Sequence, residues 1–144
     1  MNRLKLLSYP LLIIGVSLIL LGSRWMIVNE PWMLDEVANV ERLGMTFQDL
    51  FNEEINSTLP DYLTQIYRFF GFWVLVIGFF ITSLSRNIIA SNIGDPFLAI
   101  IGFMMSFGMY LSYTFIPSSH FIDLIWILFG CYAVSLYSYL KLKK

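Results

Sequence analysis

The fold is decided by residues 60–85, which read PDYLTQIYRFFGFWVLVIGFFITSLS. From residue 69 to residue 84 this stretch carries no charge and is dense in Phe, Val, Ile and Leu. Apolar runs of about this length are typical of helices that cross a bilayer. The residues before it are polar and include Asp61, Gln65 and Arg68. We therefore expect a helix that starts in water and continues into lipid.

The composition of the whole chain also indicates a lipid environment. Of 144 residues, 58% are hydrophobic and 13% are charged, whereas soluble domains average roughly 45–50% and about 25%. A soluble fold this small has too little interior to hide so much apolar surface. The formal net charge of −1 gives no electrostatic support to a nucleic-acid partner. We predict an all-α integral membrane protein with a single domain, residues 1–144, in the plasma or inner membrane.

Four apolar runs predict a bundle of four transmembrane helices. The predicted spans are about 9–28, 64–84, 96–116 and 120–140, each near the roughly 20 residues that cross the hydrocarbon core. Pro10 is expected in the opening turn of the first span, and Asp95 is expected to cap the third. With four spans, the ends rich in basic residues lie on one side: Arg3, Lys5, Arg86 and the three C-terminal lysines. The positive-inside rule then puts both termini in the cytoplasm.

The segment between the first two spans, about residues 29–63, is acidic and is predicted to be extracytoplasmic. From residue 30 to residue 61 it has eight carboxylates and one arginine, a net charge of −7. We expect two short amphipathic helices in it, the first ending at Gly44 and the second capped by Thr46. In the first helix, Met33, Val37 and Val40 share an apolar face. That face is expected to rest on the membrane body, the bilayer interface or a partner.

Small residues recur along the spans, many of them at intervals of seven. Because lipid provides no hydrophobic drive between helices, close approach at small residues provides dispersion contacts instead. The expected packing positions are Gly15, Gly22, Gly71, Gly78, Gly102, Ser106, Gly108 and Ser112. The third span carries small residues on more than one face. Its stripe is therefore expected either to pack within the bundle or to form an oligomer interface.

Polar side chains gather near the outer ends of the predicted spans, and no charge lies near the middle of any span. The absence of central charges counts against a pump or a charged-solute transporter. The end residues are Arg24, Asp61, Arg68, His120 and Asp123. One interpretation is structural, with long side chains reaching the interface and pairing with acidic neighbours. The other is functional, with a polar rim that binds a small anionic or zwitterionic head group.

Catalytic and metal-binding motifs are not evident in the sequence. The carboxylates do not follow the spacing of a calcium loop, and the chain has one histidine, His120, and one cysteine, Cys131. A zinc site would require more ligands of these types. We therefore expect no catalytic residue, no metal and no cofactor.

Three functions fit these features. The first is association without catalysis, as an accessory subunit of a membrane protein or as a small homo-oligomer. The second is binding or carriage of a lipid or another apolar small molecule, with the bundle as the pocket and the polar rim at the outer leaflet. The third is a lipid-modifying enzyme. Membrane lipid is an expected partner, and nucleic acid is not.

Overall fold

The computed structural model describes residues 3–89 and 92–143, and this part of the chain is helical, without strands. Its α-helices are α1 (Arg3–Ile27), α2 (Glu36–Leu43), α3 (Phe47–Asn52), α4 (Leu59–Leu84), α5 (Gly94–Phe115) and α6 (Phe121–Leu142), with short 3-10 helices at Pro31–Asp35 and Glu54–Asn56. Among them α1, α4, α5 and α6 are long and apolar enough to cross a membrane. The predictions of an all-helical chain and of four long apolar helices are therefore confirmed.

The start of α1 differs from the prediction. The helix begins at Arg3 rather than near residue 9, so Pro10 lies inside it instead of in its opening turn. A proline there costs the helix a hydrogen bond because proline has no N–H to donate to the carbonyl of residue 6. Leu7 before the proline and Leu11 after it are 2% and 0% exposed, so the helix is packed on both sides of Pro10.

The start of α5 is also different from the prediction. The helix begins at Gly94, and the residue before it is Ile93, so Asp95 is not the cap. The Asp95 carboxylate instead forms an ion pair with Lys143, just beyond the end of α6. The hydrogen bond to Asp95 raises the pKa of Lys143. This exposed pair joins the first turn of α5 to the end of α6.

α1 and α4 are in direct backbone contact at two pairs of glycines. A Cβ added at Gly71 would lie 2.7 Å from the carbonyl oxygen of Gly22. A Cβ added at Gly78 would lie 2.7 Å from the carbonyl oxygen of Gly15. Real Cβ atoms do not approach so closely, so at both levels glycine is what allows the two helices to meet.

The other two long helices are α6, which packs on α1, and α5, which packs on α6. α6 packs on α1, where the Ser135 hydroxyl donates to the Leu7 carbonyl at 2.9 Å. α5 packs on α6, where the Tyr132 hydroxyl donates to the Leu98 carbonyl at 3.0 Å. Within residues 3–89 and 92–143, no comparable packing joins α5 to α4. The helices are therefore ordered α4, α1, α6, α5.

Residues 28–58, between α1 and α4, fold into a small helical unit that we call the cap. α2 ends at Gly44, whose φ of 71° is the left-handed conformation that glycine adopts most easily. α3 begins after Thr46, whose hydroxyl oxygen accepts a hydrogen bond from the Asp49 backbone N–H at 3.1 Å. The end of α2 and the start of α3 thus follow local signals that are evident in the sequence.

The cap has an aromatic core of its own. The ring centroid of Phe51 lies 5.4 Å from that of Trp32 and 5.7 Å from that of Phe47. The Asn39 amide donates to the Trp32 carbonyl at 2.8 Å and to the Tyr67 hydroxyl of α4 at 3.3 Å. Asn39 therefore links α2 both to the cap core and to the bundle.

α2 packs through a different face from the one its sequence indicates. The buried side chain in α2 is Ala38, 1% exposed, whereas Val37 is 70% exposed and Met33, just before the helix, is also exposed. The reason is tertiary: with Trp32 in the cap core, the Ala38 side of the helix faces inward. Of the three surfaces expected to cover the Met33–Val37 face, the membrane body does not cover it, and contact with the bilayer interface or a partner stays a prediction.

Candidate functional site: an apolar cavity between the long helices

A cavity of about 460 Å³ lies between the four long helices. This volume falls within the roughly 300–1,000 Å³ typical of small-molecule sites. All the residues that line it in the described chain are apolar. They are Ile14 and Leu18 of α1, Ile77, Phe80 and Ile81 of α4, Phe97, Ile100, Ile101, Met104, Met105, Gly108 and Met109 of α5, and Ile125 and Leu128 of α6.

The cavity has a closed floor and an open side. Ile81, Ile101 and Leu128 are buried and form the floor. Phe80 of α4 and Ile100 of α5 also line the cavity, yet they are 64% and 62% exposed. Side chains that line a cavity and are also exposed mark its opening. The opening therefore lies between α4 and α5, the two helices that do not pack along each other.

The α5 wall is adaptable and has spare room. Met104, Met105 and Met109 all line the cavity, and the unbranched methionine side chain fits itself to irregular apolar surfaces. A Cβ added at Gly108 meets no described atom within 4 Å. Gly108 is therefore a position from which a larger side chain would extend into the cavity.

The five residues predicted to form a polar rim are all exposed and make no direct bond with one another. Within residues 3–89 and 92–143, no hydrogen bond or ion pair joins any two of Arg24, Asp61, Arg68, His120 and Asp123. Their grouping as a head-group site stays a prediction. The same described residues provide no carboxylate partner for either arginine. None of the five is among the residues that line the cavity. The ion pairing expected at Arg24 and Arg68 is therefore not observed.

His120 contacts the cap instead of the other rim residues. Its Nδ1 lies 3.1 Å from Oδ1 of Asp35, whose side chain is 12% exposed. Close by, the Ser118 hydroxyl donates to the Glu41 carboxylate. Both contacts run from the cap to the turn between α5 and α6. These polar residues therefore connect the cap to the bundle end.

The small residues of α5 face two different surroundings. A Cβ added at Gly102 would lie 2.8 Å from Cζ of the Tyr132 ring on α6, whereas Gly108 faces the cavity. The hydroxyls of Ser106 and Ser112 donate to carbonyls of their own helix, those of Gly102 and Gly108, at 2.8 and 2.9 Å. Of the predicted stripe, Gly102 thus lies at the α6 contact and Gly108 at the cavity wall, whereas the two serines bond within α5.

Two features of the site were not fully predicted from the sequence. A pocket within the bundle was one hypothesis, but the position and lining of the cavity were not predicted, and the three methionines at positions 104, 105 and 109 are the available signal for them. The other is an aromatic contact at the cap end of the bundle, where the Trp25 ring centroid lies 4.9 Å from that of Phe70 and 5.4 Å from that of Phe121. This contact joins α1, α4 and α6, and aromatic residues near predicted span ends are its signal.

The cavity offers shape and hydrocarbon surface rather than reactive groups. Among the described residues, no group of three or more His, Cys, Asp or Glu is arranged to hold a metal ion. No protein-family model matches the chain, and no curated protein or solved structure is significantly similar to it. The fold and the site define the class: an all-helical protein with four helices long and apolar enough to span a membrane, a folded cap and an apolar cavity.

Proposed function

We propose that the protein is a multi-pass membrane protein that binds a lipid or another apolar small molecule between its long helices. The observation that carries the proposal is the cavity of about 460 Å³ with its apolar lining from all four helices. The basic residues at both termini favour a cytoplasmic position for them, in a plasma or inner membrane. The cap is then extracytoplasmic.

The lining of the cavity supports an apolar occupant. Its volume of about 460 Å³ falls within the range of small-molecule sites. Water is a poor filler, since each buried molecule needs about two to four polar partners and the lining residues are apolar. An apolar occupant makes dispersion contacts with this lining and needs no polar partner.

Substitution of Gly108 tests the proposal. Gly108→Leu should fill part of the cavity and reduce the amount of bound apolar molecule at least tenfold. Gly130→Leu is the matched control, because a Cβ added at Gly130 also meets no described atom within 4 Å and Gly130 does not line the cavity. The measurement is native mass spectrometry of full-length protein purified in mild detergent, with extraction and quantification of the retained molecules.

Wild-type protein and Gly130→Leu should retain the same molecule in near-stoichiometric amount. Equal retention by all three proteins would place any bound lipid outside the cavity. The proposal would be wrong if the wild-type protein retained no apolar molecule, either in mild detergent or after purification in membrane nanodiscs.

Exposed apolar side chains on the cap favour association as a second candidate function. Amphipathic helices cover their apolar face, but Val37 is 70% exposed and Met33 is exposed beside it. A second copy of the chain or a membrane-protein partner would cover this surface. The protein would then act as a small homo-oligomer or as an accessory subunit.

The homo-oligomer version predicts a change of mass on substitution. Wild-type protein in detergent should be larger than a monomer by light scattering, and Val37→Asp should be monomeric. Glu36→Gln, at the exposed neighbouring position, is the control and should leave the mass unchanged. A monomeric wild type would contradict self-association through the cap.

A further inference from the structure

The lining residues of α5 give the length of the cavity. Lining residues on this helix run from Phe97 to Met109. Twelve residues at about 1.5 Å per residue correspond to about 18 Å. The hydrocarbon core of a bilayer is about 30 Å thick. The cavity therefore extends over more than half of that thickness, along the direction of the helices.

The width of the cavity limits what can occupy it. A volume of about 460 Å³ spread over about 18 Å gives a mean cross-section of about 26 Å², equivalent to a diameter of about 6 Å. An α-helix with its side chains is about 10–12 Å across. Carbon atoms in van der Waals contact lie about 3.5–4.0 Å apart, so an unbranched hydrocarbon chain is narrower than this space. A partner helix is too wide for this space, whereas a single extended chain fits.

The volume also sets the size of the occupant. A cavity of about 150 Å³ takes up benzene, a molecule of six carbons. By the same ratio, a cavity of about 460 Å³ takes about 18 carbons. A slender molecule of about that many carbons is a hydrocarbon chain of the kind that membrane lipids carry.

We propose that the cavity takes one hydrocarbon chain of a membrane lipid, which enters sideways between α4 and α5. The inference rests on the proposed binding function and specifies its ligand. Sideways access follows from the exposed lining residues Phe80 and Ile100, which face the gap between the two helices. The charged residues nearest to the lining in sequence, Asp95 and Asp123, do not line it. The polar head group of the lipid therefore stays outside the cavity.

Photolabelling of the full chain in phosphatidylcholine vesicles tests the ligand class. One set of vesicles contains a phosphatidylcholine with a diazirine on one acyl chain, and a parallel set contains a diazirine sterol. After irradiation, mass spectrometry maps the labelled residues. The chain probe should label Ile101 and Met105 at least tenfold more in wild type than in Gly108→Leu. Label on Ile127, which is 62% exposed and outside the lining, should not change.

The outcomes separate the ligand class from the binding function. Cavity labelling by the sterol but not by the chain, with loss in Gly108→Leu, would overturn the hydrocarbon-chain inference and leave the binding function standing. Labelling of Ile101 and Met105 by neither probe would overturn the hydrocarbon-chain inference, and the binding function would fall with it if wild-type protein also retains no apolar molecule in the mass-spectrometry experiment. Should Gly108→Leu fail to fold by circular dichroism, Met104→Trp at the cavity edge is the second variant and should reduce chain labelling in the same way.

Discussion

At the scale of single residues, glycine has opposite roles at different positions of this bundle. At Gly22 and Gly71 it allows two backbones to touch, because an added Cβ would collide with the carbonyl of the facing helix. At Gly108 and Gly130 an added Cβ meets no described atom within 4 Å. The consequence of adding a methyl group is therefore set by the facing surface and not by glycine itself.

Gly71→Ala should destabilise the protein by about 1–3 kcal/mol, the usual cost of overpacking. The new methyl group would lie 2.7 Å from the Gly22 carbonyl oxygen and would push α1 and α4 apart. The measurement is unfolding in mixed detergent micelles, followed by circular dichroism. Gly130→Ala serves as the control and should be neutral or more stable by up to about 1 kcal/mol, since alanine favours helix more than glycine. Equal effects of the two substitutions would contradict the close contact.

At the scale of elements, the cap shows how a short helix is held by its neighbours. α2 has eight residues, and isolated helices of that length are marginal in water. Its position depends on burial of Ala38, the neighbouring Trp32 core and the two hydrogen bonds that Asn39 donates. Anchoring through Tyr67 couples the cap to the first turns of α4. Cap stability is therefore expected to depend on one amide side chain.

Asn39→Ala should loosen the cap while leaving the bundle intact. Loss of the bonds to the Trp32 carbonyl and the Tyr67 hydroxyl should cost about 1–2 kcal/mol, which corresponds to a rise in local opening of roughly 5- to 30-fold. Hydrogen exchange of the α2 amides, followed by mass spectrometry, measures this rise. Asn52→Ala, an exposed amide at the end of α3, should exchange like the wild type. An unchanged rate in Asn39→Ala would show that the two Asn39 hydrogen bonds do not limit the opening of the cap.

At the scale of the whole molecule, helix order determines where the cavity forms. α1 lies between α4 and α6, and α5 packs on α6 at the far side. Because α5 packs on α6 and not along α4, a gap remains between α5 and α4, and the lining residues lie in that gap. The proposed ligand site is thus a result of how the helices are arranged. A bundle with α5 packed against both α4 and α6 would have no such gap.

The proposed orientation predicts opposite accessibility of the cap and the C-terminal end. In a Cys131→Ala background, Gln48→Cys and Lys141→Cys are introduced separately, both at exposed positions. A membrane-impermeant thiol reagent added to intact cells should label Gln48→Cys, and it should label Lys141→Cys after the membrane is permeabilised. Labelling of both in intact cells would show that the cap and the C-terminal end share one side and would refute the proposed topology.

The four long helices and the short helices of the cap could be predicted from the sequence because their signals are local. A long uncharged run, a glycine at a helix end and a threonine before a helix each act within a few residues. Start positions were less accurate, as Pro10 and Asp95 show, because burial of Leu7 and Leu11 and the ion pair to Lys143 come from distant parts of the chain.

The packed face of α2, the partner of His120 and the cavity were decided only by the tertiary structure. Each depends on which helix lies beside which, and that order follows from the summed contacts of many residues far apart in sequence. Small residues at intervals of seven indicate that helices meet closely, but they do not specify their partners. The sequence by itself determined the kinds of element in this protein, and the arrangement of those elements decided where an apolar molecule can fit.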